Sequence, residues 1–363
     1  MLTASPMLQA TTALRQVLGQ NWEFTIDGTN LEIRHRHRGS PYAPPRRPPS
    51  WADLLRTLED AFAVRGVPRD SCIPLRWGRE TELAISAVQA LDPLLKDGRP
   101  VTYRSGFLPQ PVVRFTGERD QNGELLDGYL TSFVNVSRVQ PIQSIDEYAG
   151  VLDDWLYVLS RLGFHARHIS LYGQLKVWHR RQVGGMTLMF RHLNRTLGDL
   201  VLLWNVENPQ RMAVDLGTGL ERLAWARTLG RWDELIFGSL AGSVPTPTLD
   251  ALRTATLLLG NGIMPAARGA GGVTRRVLSR IPPESVRLGV SAAVRSWYQY
   301  WTAIAGLSVP WPAVASSIEQ EIGAARRIPL QAEKTAIQAL STSPAHSPTP
   351  RTPRAKDWLR HDV

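Results

Sequence analysis

The stretch VDLGTGLERLAWA, residues 214–226, runs from an acidic residue through two glycines to a Glu-Arg pair and an apolar run. Taken alone, a glycine pair marks a turn whose backbone needs positive φ, and an Arg opening a helical face is solvated. Which reading holds depends on the segments to either side.

Upstream the chain alternates helical and strand-like patterns without a regular βαβ period. Residues 8–20 read as a short helix. NWEFTIDGTNLEIRHRHR then alternates around DGTN, a hairpin signal. GSPYAPPRRPPS, residues 39–50, is a Pro-rich basic linker, so residues 1–38 are expected to form a small helix-hairpin module. SWADLLRTLEDAFAVRGV has a Ser cap, helical spacing and a Gly stop. IDEYAGVLDDWLYVLSRLGF is a second amphipathic helix. Strand-like runs fall near 99–117, 127–140, 168–178, 185–191 and 199–206. This order predicts an α+β domain over 51–244 built on an antiparallel sheet with flanking helices. From 245 to 330 only helical patterns follow, beginning with TPTLDALRTATLLLGNG, expected to start at a capping Thr. Residues 331–363 are rich in Ser, Thr and Pro and are expected to be disordered.

The composition narrows the classes. A 43% hydrophobic content can supply a packed core in 363 residues. Twelve Trp suit buried anchors or stacking surfaces. The net charge of +10, from 42 Lys and Arg against 32 Asp and Glu, suits a polyanionic or phosphorylated partner. The single cysteine, Cys72, excludes an internal disulfide framework, and the eight His show no metal-ligand spacing. No apolar run approaches a membrane span and no signal-peptide pattern opens the chain, so no membrane association and a cytoplasmic location are expected.

VDLGTGLERLA resembles the third signature motif of class II aminoacyl-tRNA synthetases in its alanyl-type form. PVVRFTGERDQNGELLDGYLTSFVNV is similar to motif two, a strand carrying Arg, a polar loop and a returning strand with Phe. DLVLLWNVENPQ resembles the family's strand before motif three, LRTLEDAFAVRGV its first helix, and LGNGIMPAARGAGGVTRRVLSRI its helical domain. The resemblance spans roughly 50–330, with motif one placed near 83–107, and the family's editing and C-terminal domains are expected to be missing.

The resemblance implies ATP and Mg2+ as cofactors and an amino acid as substrate, activated as an adenylate. Two anions must meet, which calls for guanidinium groups and a metal ion. It assigns Arg114 to the α-phosphate and substrate carboxylate, and Arg222 to the γ-phosphate and one adenine face. Phe133 stacks on the other adenine face or is simply core. Gly217 and Gly219 allow close approach of the nucleotide, Asp215 anchors the ammonium group, and Trp204, Asn205 and Glu207 line the amino-acid pocket. Arg268, Arg275 and Arg276 are expected to bind the acceptor by phosphate contacts.

Two departures stand out. Glu207 replaces a small apolar residue, which leaves alanine or another small amino acid open as donor. Ala267 replaces an Asn that helps read the acceptor-stem G·U pair, and an Ala side chain cannot read a base edge. Three functions therefore remain: transfer to a non-tRNA amine or thiol acceptor, whether a small molecule or a carrier protein; charging of tRNA; or a non-catalytic synthetase derivative that holds RNA or a partner. The presence of Asp215, Arg222 and Arg114 favours an enzyme over the last, since a relic has no need of ATP-binding arginines.

Overall fold

A computed structural model describes residues 6–37, 39–77, 81–101, 106–283 and 289–324. Its centre is a nine-stranded sheet, and every strand pair in it is antiparallel. The elements are α1 (Pro6–Leu18), β1 (Trp22–Asp27), β2 (Asn30–His35), α2 (Trp51–Val64), α3 (Asp92–Asp97), β3 (Phe107–Val113) and β4 (Ser132–Ile142). They continue with α4 (Ile145–Arg161), β5 (Ile169–Gln174), β6 (Trp178–Arg180), β7 (Val183–His192), β8 (Arg195–Asn205) and β9 (Met212–Gly219). Then follow α5 (Leu220–Thr228), α6 (Trp232–Phe237), α7 (Thr246–Gly260), α8 (Gly269–Leu278) and α9 (Val290–Ile304), with a last helix over 311–324. The strand order is β1-β2-β5-β7-β8-β9-β4-β3, with β6 beside β7.

Period-two alternation gives the sheet two unlike faces. Ile33, Leu171, Phe190, Leu200 and Leu216 are fully buried, and Phe190 meets Trp155 of α4. Arg138 reaches the same side to bond Asp154 of α4 at 2.5 Å. Their strand neighbours Arg34, Ser170, Arg191, Asp199 and Asp215 point to the opposite face. That face carries the polar and charged groups.

The boundary expected at residue 38 is not a break in the sheet. β2 pairs with β5 over Asn30–Arg34, and α1 packs on α4. The apolar residues of the hairpin have no core of their own and complete that of the main sheet. The Pro-rich segment is coil, as its composition requires, but Tyr42 anchors it by donating to the Arg227 carbonyl at 2.7 Å. Of the motif-one stretch 83–107, the part over 102–105 lies outside the described residues, as do 325–330 and the tail 331–363.

Helix starts follow their caps. Ser50 accepts from the Asp53 amide at 3.1 Å and opens α2. Ser144 and Glu147 form a reciprocal capping box at α4. The cap expected from Thr246 is absent: Thr246 is the first residue of α7, preceded by Pro245, and no side chain caps it. Pro247 in the first turn holds the helical φ instead.

The helices after residue 245 are tied to the sheet by a buried ion pair. Arg253 of α7 bonds Glu221 of α5 at 2.6 Å, with both side chains 2% exposed. Glu221 also accepts from the Val134 amide at 3.1 Å and from the Tyr300 hydroxyl at 2.7 Å. Arg253 donates to the Ser132 carbonyl and lies 4.4 Å from the Trp301 ring centroid. Removing one partner strands a buried charge, so Arg253→Ala is expected to lower unfolding free energy by ~3–5 kcal/mol. Urea denaturation checks this; a loss within 1 kcal/mol, about that of an exposed pair, would contradict the assignment.

Candidate active site

VDLGTG is a strand, not a turn. Gly217 and Gly219 lie within β9, and neither has positive φ. Antiparallel register sets Gly217 between Asp199 of β8 and Ser137 of β4, and Gly219 beside Asn135. A Cβ on Gly217 would stand 3.4 Å from Asp199 Oδ1, so the glycine keeps the floor between the polar groups open. Directly opposed residues share a face, which places Asn135, Ser137, Asp199 and Asp215 on one polar floor.

Above it lies a cavity of about 260 Å³. Arg114, Phe133, Asp215, Gly217, Gly219 and Arg222 all line it, six residues expected from sequence for ATP and amino-acid binding. Arg114 follows β3; its Nη2 and Nε donate to the Ile85 carbonyl at 2.6 and 3.1 Å. Its guanidinium lies 5.3 Å from the Phe133 ring centroid. Phe133 is half-buried, so it is both a core contact and a cavity wall. Arg222, in the first turn of α5, donates through Nε to the Gly128 carbonyl at 2.8 Å and lies 4.7 Å from the Tyr129 ring centroid. Gly128 has φ +90°, and a Cβ there would meet the Trp225 ring at 3.2 Å, so this carbonyl needs glycine behind it.

Trp204, Asn205 and Glu207 do not join this site. Trp204 is an odd number of residues from Asp199, so it points to the other face of β8, where its ring fills the space a Cβ on Gly184 would take. Asn205 shares the parity of Asp199 but lies six residues on, about 20 Å along the strand. It is buried and ends the strand: Nδ2 donates to the Leu95 carbonyl at 2.7 Å, and Oδ1 accepts from the amides of Glu207 and Asn208 at 3.0 and 2.8 Å. Glu207 is exposed in the turn that follows, so it does not select a substrate side chain in this cavity. Arg268, just before α8, and Arg275 and Arg276 on it are exposed. Only Arg276 among them approaches the cavity's surroundings, 6.0 Å from the ring centroid of Phe115, next to Arg114.

Asp199, Asn135, Ser137 and Tyr129 were not expected from sequence. Asp199 had a readable signal, a lone carboxylate opening the apolar run DLVLLW. Asn135 and Ser137 alternate with Val134 and Val136 in β4, which marks one polar face. Tyr129 had none, since its place beside Arg222 depends on the loop path.

The floor carboxylates hold protons strongly. Burial pushes Asp215 up to about 7, with Asp199 adding repulsion, while Ser137 Oγ donating at 2.8 Å and Arg114 act the other way. Burial lifts Asp199 to about 6 against the pull of Arg114 and Arg222. Burial lowers Arg114, and Asp199 and Asp215 offset this. Two cations, Arg114 and Arg222, and two carboxylates, Asp199 and Asp215, thus face a bipolar cavity whose third carboxylate, Glu221, is paired with Arg253; it is fitted to a ligand that carries both signs. No protein-family model matches the chain, and no curated protein matches it.

A pH dependence follows. The folded state holds these protons more tightly than the unfolded chain, whose Asp titrates near 3.8. Unfolding therefore releases protons between that value and about 7, and stability contributed by these groups falls as pH rises through that window. Asp215→Asn should flatten the decline, read as melting temperature against pH for both proteins. An unchanged slope would show that Asp215 is not buried next to Asp199.

Proposed function

We propose that this chain activates an amino acid with ATP, releasing pyrophosphate, and passes the aminoacyl group to an acceptor. In this reading its sheet and flanking helices are of the class II synthetase kind, alanyl type, and alanine or another small amino acid is the donor. The observation that carries the reading is the convergence of Arg114 and Arg222 with Asp199 and Asp215 on one 260 Å³ cavity.

The chemistry follows from those charges. A zwitterionic amino acid sets its ammonium group on Asp215 and its carboxylate towards Arg114. A carboxylate oxygen attacks the α-phosphorus of ATP, the bond to the β-phosphate oxygen breaks, and pyrophosphate leaves with the electron pair. Arg114 lowers the repulsion between the two anions and Arg222 holds the triphosphate, with both charges placed beforehand. Phe133 and Tyr129 line the cavity as aromatic walls for the base, each also in contact with a guanidinium, Arg114 and Arg222 respectively. No group of three or more His, Cys, Asp or Glu side chains forms a metal site among the described residues. Asp199 would supply a protein carboxylate to a Mg2+ held mainly by the nucleotide's phosphates, and the ion would neutralise triphosphate charge. In the second step an acceptor amine or thiol attacks the acyl carbon and AMP leaves.

A synthetase-derived protein that only held RNA has no evident use for two partly buried arginines set against Asp199 and Asp215 around one cavity. The choice between acceptors rests on α8. Exposed Arg268 at its start and Arg275 and Arg276 along it suit phosphate contacts, while Ala267, next to Arg268, offers no side-chain group to read a base edge. We therefore place a non-tRNA amine or thiol first and tRNA charging second.

Amino-acid-dependent ATP–pyrophosphate exchange tests the activation step. Exchange is expected without tRNA for at least one amino acid, and Arg222→Ala should reduce it by about 10²–10³. Absence of exchange with every amino acid would leave only the binding function. For the acceptor, alanine tRNA with its G·U pair and the same tRNA with G·C should be charged equally and poorly. Efficient charging of the G·U form alone would return the protein to tRNA charging.

A further inference from the structure

The polar face of the sheet continues past the central cavity to the β1–β2 hairpin. Arg34 of β2 opposes Ser170 of β5, Ser170 opposes Arg191 of β7, and Arg191 opposes Thr196 of β8. Four opposed positions form one row across the sheet with their side chains on one face. Arg167 and His168, from the 3-10 turn Ala166–His168 that leads into β5, border it. These five residues other than Thr196, with Ile169 and Leu193, line a cavity of about 300 Å³ that contains no Asp or Glu.

Two nitrogens there are buried without a hydrogen-bond partner, Nε of Arg191 and Nδ1 of His168. Arg191 is positioned by stacking, 4.1 Å from the Tyr172 ring centroid, and its Nε is left without an acceptor. Arg34, Arg167 and His168 Nε2 have partners within the chain. Arg34 pairs with Glu32 on its own strand. Arg167 contacts His165 at 3.0 Å, and His168 Nε2 meets the Ser40 carbonyl at 3.0 Å. A buried charged donor with no acceptor costs free energy that a bound anion recovers.

The row also touches the candidate active site. Thr196 lines the central cavity, and its hydroxyl lies 3.2 Å from that of Tyr172. Strand spacing puts Ser170 about 12 Å from Asp199. We propose that Arg34, Arg167, Ser170 and Arg191 bind a phosphate group of the acceptor, separate from the nucleotide, on the face leading to the central cavity. Planar guanidinium groups suit a tetrahedral oxyanion. The phosphate site stands on its own geometry; its assignment to the acceptor rests on the adenylation reading.

Calorimetric titration of the full chain with inorganic phosphate and with a short single-stranded RNA tests it. Four proteins are compared: the unaltered chain, Arg191→Gln, Arg34→Gln/Arg167→Gln and Arg222→Ala. At least one probe should bind the unaltered chain. Both sheet-row variants should weaken that binding roughly tenfold or more, leave amino-acid-dependent pyrophosphate exchange intact, and keep the melting temperature. Arg222→Ala should lose exchange and keep the phosphate site. Tighter binding of RNA, with a salt slope that falls by about 0.7 for each cation removed, identifies a nucleic-acid phosphate; equal or better binding of inorganic phosphate identifies a small phosphorylated group. Phosphate-row binding in a chain without any exchange would sink the adenylation reading and its acceptor assignment while the anion site stands. Binding of neither probe, or binding unchanged in the stably folded double variant, would overturn the site.

Discussion

The geometry of the candidate active site depends on one buried ion pair, Glu221 with Arg253. Glu221 and Arg222 are consecutive in the first turn of α5, so their side chains leave the helix about 100° apart. Glu221 is held inward by Arg253, Tyr300 and the Val134 amide. Its neighbour is thereby turned towards the cavity, where the Gly128 carbonyl steadies it. A buried pair of this kind adds little net stability, because desolvation offsets most of the attraction. It sets orientation instead: one contact aligns α5, α7, α9 and the first residues of β4.

The second organising constraint is the unlike character of the sheet's two faces. Ile33, Leu171 and Phe190 face the helical layer containing α1 and α4 and exclude water. Arg34, Ser170 and Arg191, their strand neighbours, face the other way and form a cationic row. The same alternation produces the carboxylate floor on β8 and β9 and the Asn135–Ser137 pair on β4. Because β2 joins β5, the hairpin extends this polar face. A one-residue slip in that register would bury Arg34 and expose Ile33, which ties the apolar core to the placement of the charged row.

Local patterns in the sequence were enough for much of this. Apolar periodicity and Ser caps marked α2 and α4, and DGTN marked the β1–β2 turn. The absence of a βαβ period matched the antiparallel sheet. Arg114, Asp215, Gly217, Gly219 and Arg222 were singled out from their setting in two short stretches, and the cavity brings them together. The misplacement of Trp204, Asn205 and Glu207 has a simple origin. A conspicuous Trp-Asn pair drew the pocket to the end of β8, whereas the side chain at the cavity is Asp199, at the strand's other end.

By itself, the sequence determined what is encoded over a few neighbouring residues: helix caps, strand alternation, the acidic and basic residues of the motifs, and the α+β character. Tertiary structure alone decided which of those residues meet. Glu221 and Arg253 are 32 positions apart, Arg34 and Arg191 come from β2 and β7 with β5 between them, and Asp199 reaches Asp215 only through the pairing of β8 with β9. Burial then set the proton affinity of the carboxylates, since the dielectric surroundings of a side chain come from the whole packed chain and not from its neighbours in sequence.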